Sequence, residues 1–105
     1  MEEVLPVFNS AVSIDCVLFG FDGGELKILL IERNEEPFKD WWALPGYLIG
    51  DNESLDQSAS RILHELTGLT DVYMEQYYAF GEVGRHPQGR VVTIAYYAML
   101  RLGGD

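Results

Sequence analysis

Two arginines, Arg85 and Arg90, flank a Gly- and Pro-containing stretch in an otherwise acidic chain. Guanidinium groups suit a diphosphate or a carboxylate, so this pair is a candidate for ligand or dimer contact, beside the plainer reading of ordinary surface charge. A second concentration of charge runs from Gly46 to Leu69, where Glu53 precedes a helical pattern carrying Arg61 and Glu65. By itself the Glu53 and Arg61 spacing fits a salt bridge tying a loop to a helix, and Glu65 fits an exposed helix carboxylate. His64 shares the polar side of the same pattern and reads as a solvated surface residue. Tyr77, Tyr78, Phe80, Tyr96 and Tyr97 have rings that can stack on a base or a sugar, although strand aromatics are usually core. Trp41 and Trp42 are adjacent, so in an extended segment they face opposite ways; at most one enters the core, and the other is free to line a cleft or an interface.

These residues need elements to position them. Residues 11–21 are rich in β-branched and aromatic types, Asp22-Gly23-Gly24 supplies a turn, and residues 26–31 return as a second strand, a β-hairpin pattern. Residues 34–40 are polar, with Pro37 as a breaker, and lead through Trp41 to Gly46 into a loop that continues to about Asn52. The spacing predicts a helix over residues 54–67, opened by a Ser54 and Gln57 capping box and ended by Gly68. Leu55, Ala59, Ile62, Leu63 and Leu66 form its apolar stripe, with Ser54, Gln57, Ser58, Arg61, His64 and Glu65 opposite. Two strands follow, over 72–80 and 91–100, the second almost continuously apolar and therefore expected to be central. Cys16 lies within a strand and reads as a buried small apolar residue.

Composition excludes several classes. The chain has 105 residues, 7 Lys plus Arg against 17 Asp plus Glu, and a formal charge of −10. This is one domain, residues 1–105, large enough to bury a core without staples, and the single cysteine permits neither an internal disulfide nor a zinc ribbon. A net negative charge repels a phosphate backbone, so no nucleic-acid contact is expected from this domain itself. The start lacks a basic, apolar leader and no apolar run is long enough to span a membrane, so a cytoplasmic protein without membrane partners is expected. The sequence stops directly after an apolar strand, which reads as C-terminal truncation of a longer protein.

Anchored on Glu53, the segment resembles the signature of the Nudix family: glycine, five residues, glutamate, seven residues, Arg-Glu, an aliphatic, any residue, Glu-Glu, any residue, glycine, aliphatic. Glu53, Arg61, Leu63, Glu65, Gly68 and Leu69 match in one ungapped register, and Trp42 to Gly46 looks like the strand leading into that signature. Tyr47, Ile62 and Leu66 depart from it, standing where the family has a glycine and two glutamates. The resemblance extends from about Val12 to Leu100, through stretches such as Phe19-Gly20-Phe21-Asp22, Ala79-Phe80-Gly81 and Tyr96-Tyr97-Ala98, and is to the Nudix-related transcriptional regulators of bacteria.

That resemblance implies an α/β (α+β) Nudix-like fold with a curved mixed sheet and packed helices. It implies an N-terminal domain that senses a small molecule such as ADP-ribose, a related nucleotide or a sugar, in a homodimer whose C-terminal winged helix, absent here, binds DNA. In the family, signature glutamates hold divalent ions that polarise a diphosphate and help activate water; Glu53 and Glu65 are the positions here that would hold such a metal, and would be the catalytic pair if the protein were active. With two glutamates replaced, binding without efficient hydrolysis is expected, and sensing requires no cofactor. The ligand-binding positions are expected to be Arg61, Arg85, Arg90, Tyr47, Trp42 and Phe80. One alternative is a magnesium-dependent hydrolase of a nucleoside diphosphate linked to another group, needing Asp51 or Glu82 as an additional carboxylate. The other is a dimerisation module that binds nothing in its cleft.

Overall fold

Alternation along the first strand decides how the sheet is covered. In β1 (Ser10–Asp22), Ile14, Cys16, Leu18 and Gly20 are buried while the residues between them are only partly so, the period of two expected when one face packs and the other is open. The computed structural model describes residues 10–87 and 89–102. β1 is followed by β2 (Glu25–Ile28), β3 (Ile31–Glu32), β4 (Trp42–Ala43), β5 (Gly46–Leu48), α1 (Leu55–Thr67), β6 (Glu75–Phe80) and β7 (Arg90–Arg101). The expectation that residues 103–105 leave the last strand uncovered lies outside the described residues, as does Gln88 of the arginine-bearing loop.

The main sheet runs β2-β1-β7-β6, with β5 also pairing to β1. β1 and β7 are parallel from Ser10↔Arg90 to Phe21↔Arg101, and the other pairs are antiparallel, so the sheet is mixed and β7 is central, as its apolar sequence requires. The hairpin forms around Gly23 and Gly24, both at positive φ, the backbone that a two-residue turn demands. The expected strand over 26–31 divides after Ile28. Leu29 still donates to the Leu18 carbonyl, but Ile31 and Glu32 leave β1 to pair with β4 in a separate two-stranded sheet.

The helix has the predicted ends. Ser54 accepts from the Gln57 amide, Gln57 answers to the Ser54 amide, and Gly68 closes the helix at φ 80° with its N–H on the His64 carbonyl. Ala59, Ile62 and Leu63 pack on Ile14, Cys16 and Leu18 of β1 and Ile94, Tyr96 and Ala98 of β7. The Tyr96 hydroxyl donates to Asp56 in the first helical turn, locking the central strand to the helix. Burial and that hydrogen bond hold the Tyr96 phenol up at about 12.

Two helix positions differ from expectation. Leu66 is 39% exposed rather than part of the packed stripe, and Ser58 is fully buried rather than on the polar side. Ser58 is accommodated because its hydroxyl accepts from the Gly50 amide and donates to Glu53, which satisfies a buried polar group. The strand expected from residue 72 starts at Glu75. Of its aromatics and those of β7, only Tyr96 is core; Tyr77, Tyr78, Phe80 and Tyr97 sit on the face opposite α1 or at its edge, which no described helix covers. Both tryptophans are largely exposed, so neither enters the core. Among the described residues α1 is the single helix, and no helix is long and apolar enough to cross a membrane.

Candidate functional site

The signature segment folds around one arginine. Arg61 Nε lies 2.9 and 2.8 Å from the two Glu53 oxygens, its Nη1 lies 3.1 Å from Glu65 Oε1, and its Nη2 donates to the Leu48 carbonyl. Glu53 also accepts from Ser58 at 2.7 Å. These donors, the Ser58 hydroxyl first and then Arg61, hold the Glu53 carboxyl below the usual carboxylate range. The network ties the loop over 48–53 to the second and third turns of α1, which is the salt-bridge reading of the Glu53 and Arg61 spacing. As a magnesium site the donor set does not fit. A hard cation takes about six oxygen ligands, whereas both candidate carboxylates are occupied by the cation between them, and among the described residues no three acidic, His or Cys side chains are placed to share an ion. Asp51 and Glu82 therefore do not complete a metal cluster.

Three connected hollows run from the sheet face opposite α1 to the signature segment, which lines the second at Gly46 and the third at Gly46, Tyr47, Glu65 and Leu66. On the sheet face opposite α1, a cavity of about 580 Å³ is walled by Val17, Phe19, Leu44, Tyr77, Phe80, Ala95 and Tyr97, with Asp15 as its one charged member among the described residues. A bulge between Gln76 and Tyr78 takes Tyr77 out of register, so that it joins Phe80 on this side; its ring meets Tyr97 edge-on at 6.1 Å. Asp15 and Leu44 also line a neighbouring hollow of about 270 Å³ with Arg33, Phe38, Gly46, Arg85 and His86. Arg33 and Gly46 continue into a third, of about 250 Å³, which reaches Tyr47, Glu65 and Leu66 at the helix.

The junction is built by backbone geometry. Asp15 pairs with Gly46 of β5 on one side and Ala95 of β7 on the other. A side chain at Gly46 would run into the Asp15 carboxylate and come within 2.8 Å of the Ile14 carbonyl, so glycine keeps this wall open. Arg33 Nε is anchored on the Pro37 carbonyl at 2.7 Å, and Arg85 on Thr93 Oγ1 and the Val91 carbonyl. Burial raises the Asp15 carboxyl, and the charges of Arg85 and Arg33 pull it back only in part.

The predicted ligand residues divide. Arg85 and Phe80 come to the joined hollows, and Tyr47 lines the third. Arg61 is taken up by Glu53 and Glu65, Arg90 donates to the Glu82 carbonyl, and Trp42 is 68% exposed on β4; none of these three lines the hollows described. His64 is exposed, as expected. Asp15 and Arg33 were not among the predicted ligand residues. The signal for Asp15 was a lone charge in the middle of an apolar strand, where a carboxylate needs a reason to be; nothing in the local pattern singles out Arg33.

Residues 9–105 match the NUDIX domain family. The chain is 38% identical over 91 residues to the ADPR responsive transcriptional repressor NtrR of Acinetobacter baylyi, covering 85% of this chain and 36% of the repressor. It is 33% identical over 88 residues to the ADP-ribose pyrophosphatase of Methanocaldococcus jannaschii, covering 84% of this chain and 50% of the enzyme. The chain thus spans half or less of the length of these curated relatives. Its fold superposes on the NUDIX domain of Shewanella oneidensis NrtR complexed with ADP ribose with a TM-score of 0.85 at 34% identity, over 93% of this chain and 65% of that one.

Proposed function

Because the chain belongs to the NUDIX family, we propose that it is the effector-sensing domain of a bacterial transcriptional regulator, binding ADP-ribose, a related nucleotide or a sugar without efficient hydrolysis. The observation that carries this reading is the joining of an arginine-bearing hollow to an aromatic one. Arg33 and Arg85 offer planar donors to a diphosphate, while the walls around Phe80, Tyr77 and Tyr97 suit a flat ring. The engagement of the signature carboxylates Glu53 and Glu65 by Arg61 supports sensing without a metal. The regulator acts as a cytoplasmic homodimer and touches DNA through a further winged-helix domain rather than through this acidic one.

Titration calorimetry of the intact gene product with ADP-ribose, in the absence of magnesium, tests this. Saturable binding is expected, and Arg85→Ala is expected to weaken it roughly 10- to 100-fold, the scale of a lost charge-assisted hydrogen bond. Absence of binding by the unaltered protein would leave the dimerisation reading.

A second reading, hydrolysis of such a diphosphate, is favoured by the identity to the archaeal pyrophosphatase. It requires Arg61 to release Glu53 and Glu65 to magnesium, and turnover that appears only on adding magnesium would establish it.

A further inference from the structure

Asp15 stands at the seam between the aromatic hollow and the arginine-bearing one, and it lines both. Its position is fixed by ladder pairing on either side, to Gly46 and to Ala95, and the missing side chain at Gly46 leaves room for its carboxylate. Within the aromatic hollow every other wall residue is an aliphatic, an alanine or an aromatic. A flat ring entering that hollow from a diphosphate held at Arg33 and Arg85 therefore meets one charged hydrogen-bond acceptor.

We propose that Asp15 is a specificity-determining residue of the cleft, accepting a hydrogen bond from an exocyclic amine on the ligand's ring and thereby selecting amino-bearing bases over those carrying a carbonyl at that position. This rests on the reading of the cleft as a nucleotide site and assigns within it the group that reads the base. A carboxylate has no hydrogen to give, so a carbonyl oxygen set against it is repelled while an amine is held. A half-buried acceptor left facing the wrong partner discriminates more strongly than a missing apolar contact does. Burial raises the Asp15 carboxyl and the two arginines offset this only in part, so a ligand donor beside it favours its charged form.

The test compares ADP-ribose with its inosine counterpart, in which the amine is replaced by a carbonyl, by calorimetry on the intact protein and on Asp15→Asn. The unaltered protein is expected to prefer the amine roughly tenfold or more. Asp15→Asn is expected to bind the two within about threefold, because a carboxamide can turn to present either its N–H or its oxygen. Equal affinities in the unaltered protein, or a preference that survives in a folded Asp15→Asn, would overturn the assignment while leaving the nucleotide site standing. Failure of both compounds to bind the unaltered protein would overturn the site and the assignment together. Circular dichroism checks the fold of the variant, and if it does not fold, the comparison on the unaltered protein decides alone.

Discussion

Arg61 donates to both oxygens of Glu53 and to Glu65, so the two surviving acids of the signature serve a structural cation. If Glu65 is not a metal ligand, Glu65→Gln should leave ADP-ribose affinity within about threefold in calorimetry, since exposed ion pairs contribute little; loss of a magnesium-dependent turnover in that variant would contradict this. Asp15 and Glu53 act on stability with opposite signs. The lowered Glu53 carboxyl contributes stability above the ordinary carboxylate range, lost as the pH falls through its folded value. The raised Asp15 carboxyl costs stability when ionised, and that cost fades as the pH falls through its folded value. Asp15→Asn should therefore raise the Tm at pH 7, with the difference shrinking toward about pH 4 in thermal melts. Cys16, with its thiol pushed up to about 12 by burial and by Asp15 beside it, should resist a thiol reagent at pH 8 until the protein is unfolded. The charges of the Gly46 to Leu69 segment were legible in sequence because their partners lie within two helical turns or the adjoining loop. Arg33 was not, because its role depends on a neighbour, Arg85, that lies 52 positions away (85 − 33) and is brought near only by the sheet.

The helix is the element the sequence specifies most fully, because its capping and its stop are local chemistry. Ser54→Ala removes the capping hydroxyl and should cost about 1 kcal/mol, seen as a Tm lower by roughly 4–8 °C for a domain of this size. Ile62 is 1% exposed and Leu66 39%, so Ile62→Ala should cost about 2–5 kcal/mol in denaturant unfolding and Leu66→Ala much less. Similar losses at the two positions would contradict the helix orientation. Periodicity alone placed both in the packed stripe, because an arc on a helical wheel does not say where the sheet ends. β6 shows the same limit from the other side: its aromatics read as core by type, yet they lie on the last strand of the described sheet, on the face opposite α1, a placement set by strand order and the bulge at Tyr77.

At the scale of the molecule, the described residues give the mixed sheet one face packed under α1 and an opposite face that holds the aromatic hollow, and β1 contributes to both. On the proposed reading, a ligand held at the face opposite α1 stabilises the folded state by mass action, and the Tm should then rise with ADP-ribose concentration in the absence of metal. The chain's net charge of −10 repels anions at long range, so the attraction of an anion to the hollow lined by Arg33 and Arg85 rests on those two local charges alone. The measurement that bears most directly on sensing without efficient hydrolysis is a phosphorus NMR titration of ADP-ribose with the intact gene product, with and without magnesium. Shifted or broadened diphosphate signals with no new resonance in either condition are the expected result; monophosphate signals growing only with magnesium would contradict it.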